Sequence, residues 1–403
     1  MVAGLATADS ITNPDQMFAN ANINLIKARA THVDAKEKVI ELSDGGKVPY
    51  DKMILAVGAT QVVPQIEGRD LEGVFTLRQV PDAEKIRAFI EEREPKKVVF
   101  IGAGFISLEM ATLLSASRPN HYDMTVIGRR AHPVPFMLDT EMAVNLEKYL
   151  VEKGLTMKMG EEVTKITGQD GRVAGVEVAT GEVLDADMVV VGVGARANLE
   201  LANEMGLETG RYGIKVNQFL ETSNPDVLAA GDCVEKIHFI TKKPVSGQIR
   251  GPAVIQGRLA AKRLAGYDIP FPGVLISTAV KLFDKTIAAT GLTEAQAQDS
   301  EGFETVSAVV DSRSKHGMIS GTKPWTIKLV FDKKTQRLIG GQIISDSQAP
   351  AKEIDTVCAL IQGEKTIADV TTFVCAGHPD CSSEPSLEPI AIAAEQALQK
   401  LRK

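Results

Sequence analysis

The sequence predicts an α/β architecture, with a nucleotide-binding unit from about Pro81 to about Asn198 and a separate α+β module at its C-terminal end. Three observations carry this. Val98-Val99-Phe100-Ile101-Gly102-Ala103-Gly104-Phe105-Ile106-Ser107-Leu108-Glu109-Met110-Ala111 is a β-branched run that stops at two glycines and restarts at helical spacing, which reads as strand, tight turn and helix. Two more apolar runs, Tyr50 to Ala59 and Met188 to Gly194, also end at glycines. From about Pro272 the pattern changes to antiparallel strands followed by two helices.

The first stretch carries chemistry. Gly102 lets the chain turn sharply off the strand, and Gly104 lets the backbone approach a pyrophosphate with no Cβ in the way. The helix start at Phe105 and Ile106 then offers free N–H groups and a positive dipole end. Ser107 stands where the third glycine of the fingerprint usually permits close helix–strand packing. A second strand, Met124-Thr125-Val126-Ile127, ends where the ribose-reading residue belongs, and there stands Gly128-Arg129-Arg130 in place of an acid. Guanidinium forks suit a 2′-phosphate, so the pair favours NADPH over NADH; the alternative is an ordinary solvated strand end.

Length and composition set bounds. A chain of 403 residues accommodates two or three domains, and 44% apolar with 24% charged residues is an ordinary globular balance. The net charge of −7 argues against a general nucleic-acid or membrane-surface binder. No run approaches the roughly 18 apolar residues of a spanning helix, and Met1-Val2-Ala3-Gly4 lacks the features of a signal peptide, so the expected compartment is the cytoplasm. Four cysteines, Cys233, Cys358, Cys375 and Cys381, are too scattered for a disulfide framework or a zinc ribbon.

In chain order, Asp15 to Ile26 reads as a weak helix and strand entry, and Lys38 to Leu42 as a strand entering a turn at Ser43-Asp44-Gly45-Gly46. Gly58 closes a buried-type strand, as a plain terminator or as a point of close ligand approach. Pro81 to Arg93 has helical spacing. Leu138-Asp139-Thr140-Glu141 starts a helix with Met142, Leu146, Leu150 and Val151 on its apolar face, ended by Gly154. Thr222 to Cys233 is a short strand capped by Gly231-Asp232, where the acid is either an ordinary helix cap or a ligand for a ribityl hydroxyl, and a helix follows from about Pro252 to Leu264. Strands are expected at Val274 to Phe283, Phe303 to Val310, Trp325 to Phe331 and Leu338 to Ile344, then helices near Ala351 to Ile361 and Ser386 to Leu401.

Taken together these pieces resemble the pyridine nucleotide-disulfide oxidoreductase family, FAD enzymes that include glutathione reductase, coenzyme A disulfide reductase and NADH oxidase. The resemblance implies two Rossmann-like domains, for FAD (residues 1–80 and 215–271, N-terminally incomplete) and NAD(P) (81–214), and a C-terminal α+β dimerisation domain (272–403). It implies hydride transfer from NADPH or NADH to the flavin, and delivery of electrons to a small-molecule acceptor such as a disulfide or persulfide, in a homodimer. On this likeness Asp232, with Gly231, holds a ribityl hydroxyl, and Gly58 and Ala59 lie near FAD. Phe105 falls where some members gate the nicotinamide pocket, Glu109 on an acid that arranges its flavin side, and Gly192 and Gly194 in the NAD(P) cleft.

Two departures from the family are visible. No glycine fingerprint precedes Tyr50, although the family begins with a βαβ unit that needs roughly 30 residues or more. The chain therefore reads as starting inside the flavin domain. No cysteine precedes Cys233, so no flavin-side redox thiol is visible, and Cys233 itself reads as a small buried residue. The tail Cys375-Ala376-Gly377-His378-Pro379-Asp380-Cys381-Ser382-Ser383-Glu384 partly resembles the glutathione reductase ending, which implies His378 as the acid/base and Glu384, one position late, as its orienting partner. Cys375 and Cys381 are candidates for electron relay or a soft metal, or else inert thiols. Trp325 reads as core, and the five other histidines as surface or structural. The alternatives are an NAD(P)H oxidase or redox-protein reductase without a redox cysteine, and a non-catalytic dinucleotide-binding fragment.

Overall fold

The computed structural model describes residues 1–299 and 302–402. The chain divides into two units, each assembled from separated stretches. Met1–Val62, Arg78–Arg87 and Gly194–Val274 form the first; Val63–Leu77, Ala88–Val193 and the chain from Leu275 onward form the second.

In the first unit, Ala30–Asp34, Val39–Leu42 and Lys47–Pro49 make an antiparallel meander. Its second turn is set by Asp44, whose carboxylate accepts the Gly46 N–H at 2.9 Å, and by Gly45 at φ +85°. The strand entry expected before Ile26 does not form: the segment holds only the short helix Gln16–Asn20, and Ile23, Leu25 and Ile26 are exposed, with no sheet to pair them. Met53–Leu55 pairs in parallel with Val227–Ala229. Their inward residues pack with Val33, Ile214 and Cys233 into one core. Helix Arg250–Leu264 packs Ala260 on Leu220, Leu228 and Ala230, starting two residues before the expected Pro252.

The second unit holds a five-stranded parallel sheet in the order Val74–Thr76, Met188–Val191, Lys97–Ile101, Asp123–Gly128, Leu155–Met159. Its central strands read as unbroken apolar runs because both faces are covered. Val163–Gln169, Arg172–Val178 and Val183–Asp185 form an antiparallel sheet whose Ile166, Val173, Val176 and Val178 pack with Val99, Ile127 and Val189. Helix Thr140–Glu152 buries Met142, Ala143, Leu146 and Leu150, but Val151 is 52% exposed. Residues 142, 146 and 150 advance by four and stay on one face, whereas 151 turns about 100° away from it.

The C-terminal sheet is antiparallel, in the order Thr278–Leu282, Lys285–Gly291, Leu338–Ser345, Pro324–Asp332, Thr305–Arg313. The expected strand from Val274 begins only at Thr278, because Ile276 takes φ +54° and interrupts the extended run. Lys285–Gly291 is a strand beyond those expected from the sequence. Trp325 is 4% exposed, in the core as expected. Helices Glu353–Gln362 and Pro389–Leu401 bury Ile354, Val357 and Ile361 and Ile390, Ala393, Ala394 and Ala397.

Candidate functional site

In the first unit, the strand Val227–Ala229 ends in a single turn, Gly231–Cys233, with Gly231 at φ +85°. This turn borders a cavity of about 560 Å³ lined by Gly58, Arg78, Gly231, Asp232, Gln248 and Arg250, among others. Asp232 aims a buried Oδ1 with no hydrogen-bond partner among the described residues, while its Oδ2 accepts from the Arg78 guanidinium. An unpaired buried carboxylate oxygen is costly unless a ligand donates to it. Gly58, at φ +70°, leaves open space where a Cβ would stand, and Ala59 is buried in a strand pair with Ala197. The N-terminus of helix Arg250–Leu264 has no side-chain cap. These features fit the hydroxyl-rich ribityl end of a flavin dinucleotide.

Arg78 was missed in the sequence because nothing local marks it; it lies 154 residues from the aspartate that it holds. Cys233 is fully buried, its thiol donating to the Ala230 carbonyl at 3.3 Å and the Leu55 carbonyl at 3.5 Å. Burial pushes that thiol's pKa up, the opposite of what a redox thiolate needs.

In the second unit, the fingerprint turn is built by size. A Cβ on Gly102, which sits at φ +105°, would stand 2.4 Å from the Gly192 carbonyl oxygen. Gly192 in turn has no room for a side chain: its Cβ would stand 2.4 Å from Ser107 Oγ. Ser107, fully buried, therefore fits at the third fingerprint position because Gly192 is bare. Gly104 is the N-cap of helix Phe105–Ser117, makes no side-chain cap bond and has open space beside it, as a phosphate-approach glycine requires. Phe105 and Ile106 are half-buried in the first turn. Burial of its carboxyl pushes the Glu109 pKa up, although the residue as a whole is exposed. Arg129 and Arg130 are exposed and have no ion-pair partner among the described residues; the Gly160 N–H bonds the Arg130 carbonyl at 2.9 Å and closes their loop. Gly194, in the first unit, is exposed at φ +119° with nothing near its Cβ direction.

The tail thiols are free, Cys375 half-buried and Cys381 exposed. The structure does not bring His378 and Glu384 together within the chain. His378 Nδ1 accepts from the Asp380 N–H at 3.2 Å, whereas Glu384 lies 3.7 Å from His316 Nε2 and accepts from Ser386 Oγ at 2.7 Å. The tail is laced to residues 313–316, with the His316 N–H on the Pro379 carbonyl at 2.9 Å, Lys315 on Asp380 at 2.6 Å and Ser383 Oγ on the Arg313 carbonyl at 2.6 Å. Contacts between loops of this kind carry no local sequence signal. His238, 3% exposed, is structural: its Nδ1 accepts the Ile240 and Thr241 N–H groups.

No helix among the described residues is long and apolar enough to cross a membrane. The family model for pyridine nucleotide-disulphide oxidoreductases matches residues 6–249, and that for their dimerisation domain matches residues 277–388. A protein named NADH oxidase from Methanocaldococcus jannaschii is 34% identical over 393 residues, covering 96% of this chain and 86% of that protein. The NAD(P)H coenzyme A polysulfide/persulfide reductase of Pyrococcus horikoshii is 33% identical over 406 residues, covering 98% of this chain and 87% of its own. The solved structure of an NAD-dependent persulfide reductase from A. fulgidus superposes with a TM-score of 0.92 at 32% identity, over 99% of this chain and 75% of that one. The chain belongs to the pyridine nucleotide-disulphide oxidoreductase family, and is an FAD-dependent NAD(P)H oxidoreductase with a C-terminal dimerisation domain.

Proposed function

We propose that this chain draws electrons from NADPH in preference to NADH and delivers them through FAD to a disulfide, persulfide or related sulfur compound. It does so as a cytoplasmic homodimer in which residues 1–80 and 215–271 hold the flavin, 81–214 the nicotinamide nucleotide and 272–403 the partner subunit. The observation that carries the reading is the buried Oδ1 of Asp232, without a partner among the described residues, on a residue that lines the cavity together with Gly58. FAD, when bound, supplies the two-electron step between the nucleotide and the acceptor. Asp232 accepts a ribityl hydroxyl, Gly58 and Ala59 let the backbone lie close, and Arg78 holds the other carboxylate oxygen through its guanidinium.

Gly102 and Gly104 turn the chain so that the N–H groups of Phe105 and Ile106 face the pyrophosphate. Arg129 and Arg130, exposed and without an ion-pair partner among the described residues, supply charge for a 2′-phosphate. Glu109 and the glycines at 192 and 194 shape the nicotinamide side. For a disulfide the balance is NAD(P)H, a proton and RSSR giving NAD(P)⁺ and two RSH; for a persulfide the products are RSH and H₂S. His378, on the tail with Cys375 and Cys381, donates the proton to the departing thiolate. Two relatives named for polysulfide or persulfide reduction support the sulfur acceptor.

A second reading, transfer to dioxygen, draws on the relative named NADH oxidase and on the inert setting of Cys233. The test is the visible spectrum of the purified protein, then anaerobic titration with NADPH and separately with NADH, and reoxidation by polysulfide or by oxygen. A bound flavin bleached faster by NADPH and reoxidised by polysulfide, with C375S/C381S slowing only that second step, is the expected result. A colourless protein that takes up no FAD overturns the reading, and equal reoxidation in the double variant removes the thiols from it.

A further inference from the structure

Lys236 is 1% exposed and opens the short strand Lys236–Ile237 just beyond the Gly231–Cys233 turn. Its ammonium donates to the Gly231 carbonyl at 2.7 Å and to the Val234 carbonyl at 3.3 Å, and no carboxylate lies within ion-pair distance among the described residues. The burial is built for a lysine stem: a Cβ on Gly247 would come within 2.8 Å of Lys236 Cδ. Burial pushes the lysine's pKa down, and the nearby Asp232 carboxylate acts in the opposite direction. A buried cation that hydrogen-bonds carbonyls and has no carboxylate at ion-pair distance among the described residues is destabilising, and methionine would fill similar space without that penalty.

The other polar end of the same glycine is also held. Gln256, 1% exposed on helix Arg250–Leu264, accepts the Gly231 N–H at 2.9 Å through Oε1. Gly231 is thus gripped at its N–H and at its carbonyl by two buried side chains, in a backbone conformation at φ +85°. The next residue is Asp232, which lines the cavity and whose buried Oδ1 has no hydrogen-bond partner among the described residues.

We propose that Lys236 and Gln256 are positioning residues for the flavin, clamping the Gly231–Asp232 peptide so that Asp232 Oδ1 meets a ribityl hydroxyl. This rests on the flavin reading of the cavity. Lys236 does not touch the cofactor; it acts through the aspartate, by holding the carbonyl that precedes it and by keeping a positive charge near its carboxylate.

A double-mutant cycle read as FAD affinity, by quenching of flavin fluorescence on the full chain, tests this. K236M should weaken FAD binding about 10-fold in the wild-type background and less than 2-fold in a D232N background. Q256L, which frees the opposite end of the glycine, should show the same dependence on Asp232, and it carries the test if K236M does not fold. Wild-type affinity in K236M, or an equal loss with Asp and with Asn at position 232, overturns the proposal, since a general loss of structure would not depend on that carboxylate. A wild-type chain that takes up no FAD overturns the reading of the cavity together with it, a different failure from a coloured protein indifferent to K236M.

Discussion

Lys328 offers the sharpest stability test. It lies in the C-terminal strand Pro324–Asp332 with no exposed surface, its ammonium 2.9 Å from Asp139 Oδ2 and 2.5 Å from Glu294 Oε2, and also bonded to Glu141. Asp139, the N-cap of helix Thr140–Glu152, also accepts from Gln342 Nε2 at 2.5 Å and from the Glu294 and Ala295 N–H groups at 3.1 and 3.3 Å. One ammonium therefore ties the starts of helices Thr140–Glu152 and Glu294–Asp299 to the sheet. K328M keeps the volume and strands three carboxylates. Of the three, Asp139 is buried and Glu141 half-exposed; leaving the buried carboxylate without its ammonium costs about 3 kcal/mol, and at about 2–4 °C per kcal/mol for a domain of this size, the second unit should melt about 10 °C lower by calorimetry. Adding E141Q and E294Q removes the repulsion and should recover roughly half of that.

The pH dependence has a defined sign. Burial pulls the Lys328 pKa down, but hydrogen bonds to Glu141, Glu294 and Asp139 lift it further, to a net value above an ordinary lysine. Its contribution is then complete below about pH 10.4, the unfolded value, and disappears as pH rises through the raised folded pKa. The gap between wild type and K328M should be constant from neutral pH to about pH 9 and narrow above about pH 10.5. A K328M protein that melts within 2 °C of wild type, or a gap that E141Q/E294Q leaves untouched, refutes the account.

Three further outcomes are expected. R129E/R130A should raise the KM for NADPH about 10-fold or more while leaving NADH within about 3-fold, checked by steady-state kinetics with each donor. G102A forces a Cβ to 2.4 Å from the Gly192 carbonyl at φ +105°, so NAD(P)H binding should be lost in fluorescence titration and stability should fall by about 2 kcal/mol or more. Burial, with Lys242 nearby, pushes the His238 pKa from 6.5 to about 4, so its neutral form is a stabilising feature above pH 6.5 that is lost as pH falls toward 4, on the order of 3 kcal/mol in all. Urea melts of wild type and H238N across that window should diverge in slope; parallel slopes would mean that His238 does not titrate with unfolding.

The sequence was most legible where one local rule decides the structure. Gly102 and Gly104 between a β-branched run and a helical period admit one arrangement, and the fold shows it. Helix Thr140–Glu152 was read correctly in position, but its face was drawn too wide at Val151, where one residue of rotation decides burial. The extended reading of Val274–Thr278 failed at Ile276, because a single left-handed residue in an apolar stretch has no compositional signature. Partners distant in sequence stayed invisible. Arg78 meets Asp232, and His316 rather than His378 faces Glu384 within the chain, only because loops converge. Lys328 sits in an ordinary strand pattern; that its side chain would be buried depends on two helix starts contributed from elsewhere in the chain.

The parallel pairing of Met53–Leu55 with Val227–Ala229 also bears on biosynthesis. The two strands are separated by about 170 residues, so at about 5–20 residues per second the first waits some 10–35 s on the ribosome before its partner is made. Throughout that interval Met53 and Leu55, 8% and 5% exposed in the finished fold, have no strand to cover them. A nascent chain arrested near residue 200 should therefore display an apolar, unpaired strand edge, a natural binding target for a holdase chaperone. Release of the next 30 or so residues should end that affinity as the parallel pair closes.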